Sequence, residues 1–228
     1  MDLRVVPAGR AAALAALELA LSALEADPSR PIVVGGIDTY LDLKLLAGLD
    51  AEGRILGSTV SDGFIPGEGA SFLVLAHESA VPAGAAAAAA SAGAVTVAAA
   101  ASAQDPGHRS GSAPARGEGL ATAIELLRSR LPDPASVVGS TFAGLNGESF
   151  DAKQWGVARL RHADFFAPEA VVSHPADCFA DAGAAAGALL LCLGARAIAR
   201  GERRAPALIW AASDGETRAC ALLSRAEN

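Results

Sequence analysis

The sequence predicts a layered α/β protein with a mixed sheet: one βαβαβαββ unit preceded by an incomplete copy of the same order. Three observations carry this. From residue 93 onward, apolar runs of strand length alternate with segments of helical periodicity. The chain closes on two adjacent strand-like runs, which predicts an antiparallel edge added to a parallel sheet. Residues 5–76 read as a short strand, a helix and two strands, the order in which the longer unit ends.

The elements follow from local chemistry. Ala11–Ala26 is rich in helix formers, carries Leu14, Leu17, Leu21 and Leu24 at helical spacing, and stops at Asp27-Pro28. Pro31–Ile37 (PIVVGGI) and Ala70–Ala76 (ASFLVLA) are continuous apolar runs and predict buried strands. Residues 81–92, almost wholly Ala and Gly with Pro82, predict a flexible linker, which divides the chain into a first part (1–80) and a second (93–228). The second part then predicts a strand at 93–101, a helix at 119–131 and a strand at 136–142. A helix at 152–161, a strand at 170–173, a helix at 182–200 and strands at 205–212 and 217–224 complete it.

Composition narrows the function. Of 228 residues 52% are apolar but only ten are aromatic (seven Phe, two Trp, one Tyr), so close-packed small side chains must form the core. The net charge is −7 without a basic stripe, which argues against a nucleic-acid partner. Cys178, Cys192 and Cys220 are odd in number and lack CxxC spacing, so neither a disulfide framework nor a zinc site is indicated and a reducing cytoplasm is expected. The run Val81–Ala103 is long enough to raise a membrane span, but Ala contributes little transfer energy and Pro82 and several Gly interrupt it. No membrane partner, metal or cofactor is expected. The N-terminus has no signal-peptide pattern.

Ser61–Leu75, SDGFIPGEGASFLVL, resembles the segment of β-ketoacyl synthases in which an Asp-Gly-Phe turn and a Gly-Glu-Gly turn precede a core strand. In this reading Gly67 and Gly69 supply backbone conformations that a Cβ would bar, and Glu68 accepts backbone N–H bonds. Asp62, Gly63 and Phe64 form the preceding turn. Ala11–Gly36, ending in VVGG, is similar to the helix behind the nucleophile and the strand after it, and Asp181–Leu191 (DAGAAAGALLL) to the family's GAAGA-type helix start. The resemblance implies a thiolase-like condensing-enzyme fold that begins at the nucleophile strand, with no counterpart here to the family's first ~100 residues.

Transferred position by position, the family's chemistry is absent. The nucleophilic Cys would fall at Gly9, and no Cys, Ser or Thr lies between Met1 and Ser22. The two His positions fall at Ala143 and Ala180, the Lys near Pro175, and the closing Gly-rich turn reads SDGE, Ser213–Glu216. Cys178 with His174 and Asp177 is a conceivable substitute pair, though a partly buried structural thiol is the simpler reading. Cys192 and Cys220 are expected in the core, and His77, His108 and His162 at solvated or capping positions. Asn146, Glu148 and Asp151 read either as polar pocket residues or as an ordinary helix N-cap with first-turn acids, and the cap is favoured.

The resemblance thus implies an accessory subunit of fatty-acid or polyketide-type metabolism, without acyl transfer of its own. Its partner would be a condensing-enzyme-like chain in a homo- or hetero-oligomer, and acyl carrier protein is a further candidate. One alternative is a β-ketoacyl-acyl-carrier-protein synthase whose nucleophile comes from another chain or segment, and another is a purely structural dimerisation module. Unpaired sheet edges predict association in solution.

Overall fold

The computed structural model describes residues 2–82, 84–85, 93–133 and 135–226. After a 3₁₀ turn at Gly9–Ala11 come α1 (Ala12–Ala26), β1 (Ile32–Thr39), α2 (Leu43–Ala51) and β2 (Glu68–Leu75). The second part runs β3 (Val95–Gln104), α3 (Glu118–Ser129), β4 (Val138–Ala143), α4 (Ser149–Arg161) and β5 (Phe166–Ser173). A one-turn helix α5 (Ala176–Phe179), a 3₁₀ turn at Gly183–Ala185, α6 (Ala186–Ala199), β6 (Ala207–Ala212) and β7 (Thr217–Arg225) complete it.

Two sheets form. Five strands lie in the order β3-β7-β6-β4-β5, with β4 parallel to β5 and β6, and β7 antiparallel to both β6 and β3. The closing strand therefore lies inside the sheet and not at its edge. The sequence signal for a hairpin was sound, but sequence order cannot show that β3, the unit's first strand, returns to flank the last. β1 and β2 make a separate antiparallel pair with Ile32 opposite Leu75 and Thr39 opposite Glu68.

Side-chain alternation explains the layers. Leu208, Trp210 and Leu222 face α3, where Leu120, Ile124 and Leu127 meet them. Ala207, Ile209 and Leu223 face the opposite way, onto α1 and α6, through Leu14, Leu17, Leu190 and Leu191. Those two helices are covered on their far side by β1 and β2 through Val34, Leu73 and Leu75. The order of layers is helix, sheet, helix, sheet. Small residues permit the spacing at the centre: a Cβ on Gly187 of α6 would stand 3.1 Å from the Arg10 carbonyl and 3.4 Å from Ala13 Cβ of α1.

Beyond β1–β2 there is no further layer among the described residues. Both strands expose apolar side chains there, with Ile37 at 73%, Val74 at 72% and Phe72 at 58% exposure. The expectation of two fully buried strands is thus corrected: each is buried on one face only. The short strand expected near residue 5 is also absent, since Asp2–Ala8 joins no ladder. The linker expected at 81–92 falls largely outside the described residues. Among those described, no helix is long and apolar enough to cross a membrane.

The two parts share an order and a local geometry. Each central helix starts from a glycine in left-handed backbone, Gly9 (φ 50°) before α1 and Gly183 (φ 55°) before α6, followed by a 3₁₀ turn. Each helix is followed by an antiparallel pair, β1–β2 or β6–β7. In the first pair, Gly36 lies on the carbonyl of Ala184, where a Cβ would come within 2.2 Å. Gly36→Ala is expected to cost about 1–3 kcal/mol by overpacking the start of α6, measurable as a lower urea midpoint at unchanged slope.

Candidate functional site

The N-termini of α1 and α6 meet at one end of the central layer, beneath the loops after β4 and β5 and the β6–β7 turn. Ala143, Gly144, Leu145 and Asn146 come from the first loop, and Pro175, Ala176 and Ala180 from the second. With Arg10, Asp181, Ala182, Ala186, Leu189, Leu190 and Ala211 they line a cavity of roughly 30 Å³. That is room for about two waters. The fold thus gathers Ala143, Pro175 and Ala180 around one space, next to the Gly9–Arg10 turn. No Cys, Ser, Thr, His or Lys is among the residues lining it.

Ionic groups fill the surrounding volume. Arg10, 6% exposed, reaches from the start of α1 to Asp151 at 2.8 Å, Asp214 at 3.4 Å and Asp181 at 3.5 Å. Arg54, on the loop after α2, grips Glu148 with Nε and Nη2, both at 2.9 Å, and Asp214 with Nη1 at 2.9 Å. Arg109 adds Glu148 at 3.0 Å and Asp214 at 3.3 Å. Asn146 donates to Asp181 at 2.9 Å, and Asp181 also accepts from Gly183 N at 2.9 Å, which fixes the turn into α6. Three guanidiniums therefore face four carboxylates in a mostly buried network.

Burial is the largest influence on most of these groups. It weakens the charged form of Arg10, but Asp151, then Asp181 and Asp214, more than offset it and hold the guanidinium above its usual range. Burial raises the Asp151 carboxyl, and Arg10 only partly opposes this. At Asp214 burial also pushes upward, yet the hydrogen bond from Arg54 and the charge of Arg10 win, and the carboxyl titrates below 3.8. A neighbouring buried cation, Arg218, donates to Gln154 and to the Ser213 and Gly215 carbonyls, and burial lowers it.

Several expectations change here. Asn146, Glu148 and Asp151 are buried members of the network and not a solvated cap. The N-terminus of α4 is capped from a distance by Asp62, whose carboxylate accepts from Ser149 N at 2.6 Å and Ser149 Oγ at 2.7 Å, holding it below the ordinary carboxylate value. Gly67 and Gly69 do not adopt left-handed backbone; they lie against the segment that leads into α6, a Cβ on Gly67 standing 2.9 Å from Ala180 Cβ and one on Gly69 3.3 Å from Ala182 Cβ. Glu68 accepts from Thr39 Oγ1 at 3.0 Å and not from backbone. Phe64 is 1% exposed, held between the Tyr40 ring at 5.2 Å and the Arg54 guanidinium at 5.3 Å.

The substitute pair does not form a site. Cys178 is exposed, not partly buried, and the His174 ring is taken by Asp177 at 2.7 Å. Cys220 is buried and its thiol is pushed up by burial, while Cys192 is only half-buried, with its sulfur 3.3 Å from Ser71 Oγ. His77 caps the turn at Glu78–Ala80. His162 holds the C-cap position of α4, as one of the two expected roles has it, while its ring is buried against the Ala121 carbonyl at 2.9 Å and is not solvated. Gly9 sits under the β6–β7 turn, where a Cβ would stand 2.8 Å from Ser213 Oγ. Among the described residues no group of three or more His, Cys, Asp or Glu side chains is arranged to hold a metal ion.

Arg10, Arg54 and Asp214 were missed from sequence. The available signal was a lone arginine within the otherwise apolar PAGRAAALAAL, since an unpaired charge is almost never buried.

No family model and no curated protein matches the sequence. Solved structures do match. An assembly described as a type II polyketide synthase acyl-carrier protein in complex with its ketosynthase bound to the hexaketide aligns with TM-score 0.79 at 17% identity, over 100% of this chain and 64% of that one. The ishigamide ketosynthase/chain length factor gives 0.75 at 18%, over 96% and 60%. A ketosynthase domain of oxazolomycin synthesis from Streptomyces albus gives 0.73 at 19%, over 96% and 46%. The chain spans about half to two thirds of the length of these structures, and across that span it has the thiolase-like fold of the ketosynthases.

Proposed function

We propose that this chain is a ketosynthase-like subunit without acyl-transfer chemistry of its own, working beside a condensing-enzyme-like chain that receives acyl groups from an acyl carrier protein. One observation carries the reading. The cavity where the two central helices begin is lined by Ala, Gly, Leu and Pro with Arg10, Asn146 and Asp181, and it gathers Ala143, Pro175 and Ala180, three of the positions that the sequence resemblance assigns to the family's reactive groups. Acyl transfer needs a nucleophile activated by a base and donors aimed at the developing oxyanion. Arg10, the one cation among the described residues lining the cavity, is ion-paired with three aspartates, and its unbonded Nη1 is a donor without a nucleophile or base among that lining. The neighbours support the partner half of the reading, since one is a ketosynthase complexed with its acyl-carrier protein and another a ketosynthase/chain length factor.

The test is incubation with acyl-carrier-protein thioesters and with acyl-CoA, followed by intact mass spectrometry. No covalent acyl adduct is expected on this chain, and native mass spectrometry is expected to show its complex with a ketosynthase. Stable acylation of Cys178 overturns the proposal.

A further inference from the structure

The pair β1–β2 repeats β6–β7, but the two pairs are completed differently. β7 carries β3 antiparallel along its outer edge, and β3 rests on α1. Among the described residues β2 pairs with β1 alone. The repeat exchanges α1 with α6 and β7 with β2, so the place corresponding to β3 lies along the β2 edge, against α6. A groove of about 590 Å³ occupies that place. Leu73 and Leu75 of β2 and Leu191 and Ala195 of α6 are among its walls, and Val95 and Leu223 close one side.

We propose that this groove receives an extended strand from another polypeptide, antiparallel to β2, built of small and β-branched residues and carrying a carboxylate near its N-terminal end. Burial sets the chemistry of the strand. β7 is buried from Arg218 to Leu223, whereas β2 alternates between exposed and half-buried positions, so Leu73 and Leu75 have unused apolar surface. The groove also continues an existing interface, because Leu17 and Leu191 belong both to it and to the core between α1 and α6. β3 pairs with its first residue, Val95, opposite Arg225 near the end of β7. A strand in the same sense places its first residues opposite Leu75. Arg196, exposed and also lining the groove, makes no ion pair among the described residues and selects a carboxylate there. The β3 of a second copy does not supply the strand, because it is bound within its own sheet. Main-chain pairing gives affinity and alternate side chains give specificity, as in other strand additions.

The probe is a peptide of Glu followed by this chain's own residues 94–104, compared with the same peptide headed by Lys. Binding by fluorescence anisotropy and amide hydrogen exchange over residues 68–75 are measured on the full chain. The Glu peptide is expected to slow exchange across β2 and to bind about fivefold tighter than the Lys peptide, the size of one surface charge pair. Arg196→Glu, on an exposed helical position, is expected to invert that order. Leu75→Lys is expected to abolish binding while Phe72→Lys, at an exposed position outside the groove, leaves it. Absence of protection, β2 amides already protected in the peptide-free chain, or affinity indifferent to Arg196 overturns the proposal. These results stand apart from acylation, so they fail or succeed independently of the function proposed above.

Discussion

Arg10→Ala is expected to destabilise the chain by about 3–5 kcal/mol, because it strands Asp151, whose side chain is 0% exposed, without its counter-ion. The loss should depend on pH. Asp151 is raised in the folded chain, so its own contribution favours folding below 3.8 and fades as pH rises through its folded value. Removing Arg10 raises it further and widens that window. Urea denaturation should therefore show a larger loss at pH 7 than at pH 4, where the carboxyl can take a proton. Replacing both partners, Arg10→Met with Asp151→Leu, should recover much of the stability, since a well-packed apolar pair avoids the desolvation that the ions incur. If Arg10→Ala costs no more than about 1 kcal/mol at pH 7, the network is solvated and does not close the cavity.

What could be read from sequence divides along a physical line. Helix α1 was legible because its leucines recur at helical spacing, and β4, β6 and β7 because strands buried on both faces read as short continuous runs, and both patterns are local. The DGF bend was legible because Gly63 lies on the Arg54 carbonyl, where a Cβ would stand at 2.7 Å, but the expected GEG turn is not one: Glu68 and Gly69 lie inside β2, and residues 179–181, not left-handed backbone, crowd Gly67. The ionic network was not legible. Its members lie at positions 10, 54, 109, 148, 151, 181 and 214, and nothing in any one segment shows that seven charges meet in one mostly buried network. Glu148 and Asp151 looked like helix-cap residues because a cap and a buried cluster use the same side chains, and only tertiary placement separates them. α2 was missed for a related reason, as Asp42 caps it through Leu45 N but of its four leucines only Leu49 is buried, which gives no periodic core signal.

Phe64→Ala is expected to cost about 3–5 kcal/mol, as truncation of a buried aromatic does. The residue matters beyond its own area. Phe64 N donates to the Arg54 carbonyl and Leu56 N to the Phe64 carbonyl, both at 2.9 Å, so the turn and the Arg54 loop are pinned together. Its ring then lies against the guanidinium that grips Glu148 and Asp214. Truncating the ring should loosen Arg54 as well as leave a cavity. Phe64→Ala combined with Glu148→Gln is therefore expected to be less costly than the sum of the two, because both act on one guanidinium. Phe64→Leu, which keeps most of the volume, should cost less than about 1.5 kcal/mol. Strict additivity in the double variant would mean that Phe64 is packing alone and that its turn has no hold on the charged site beside it.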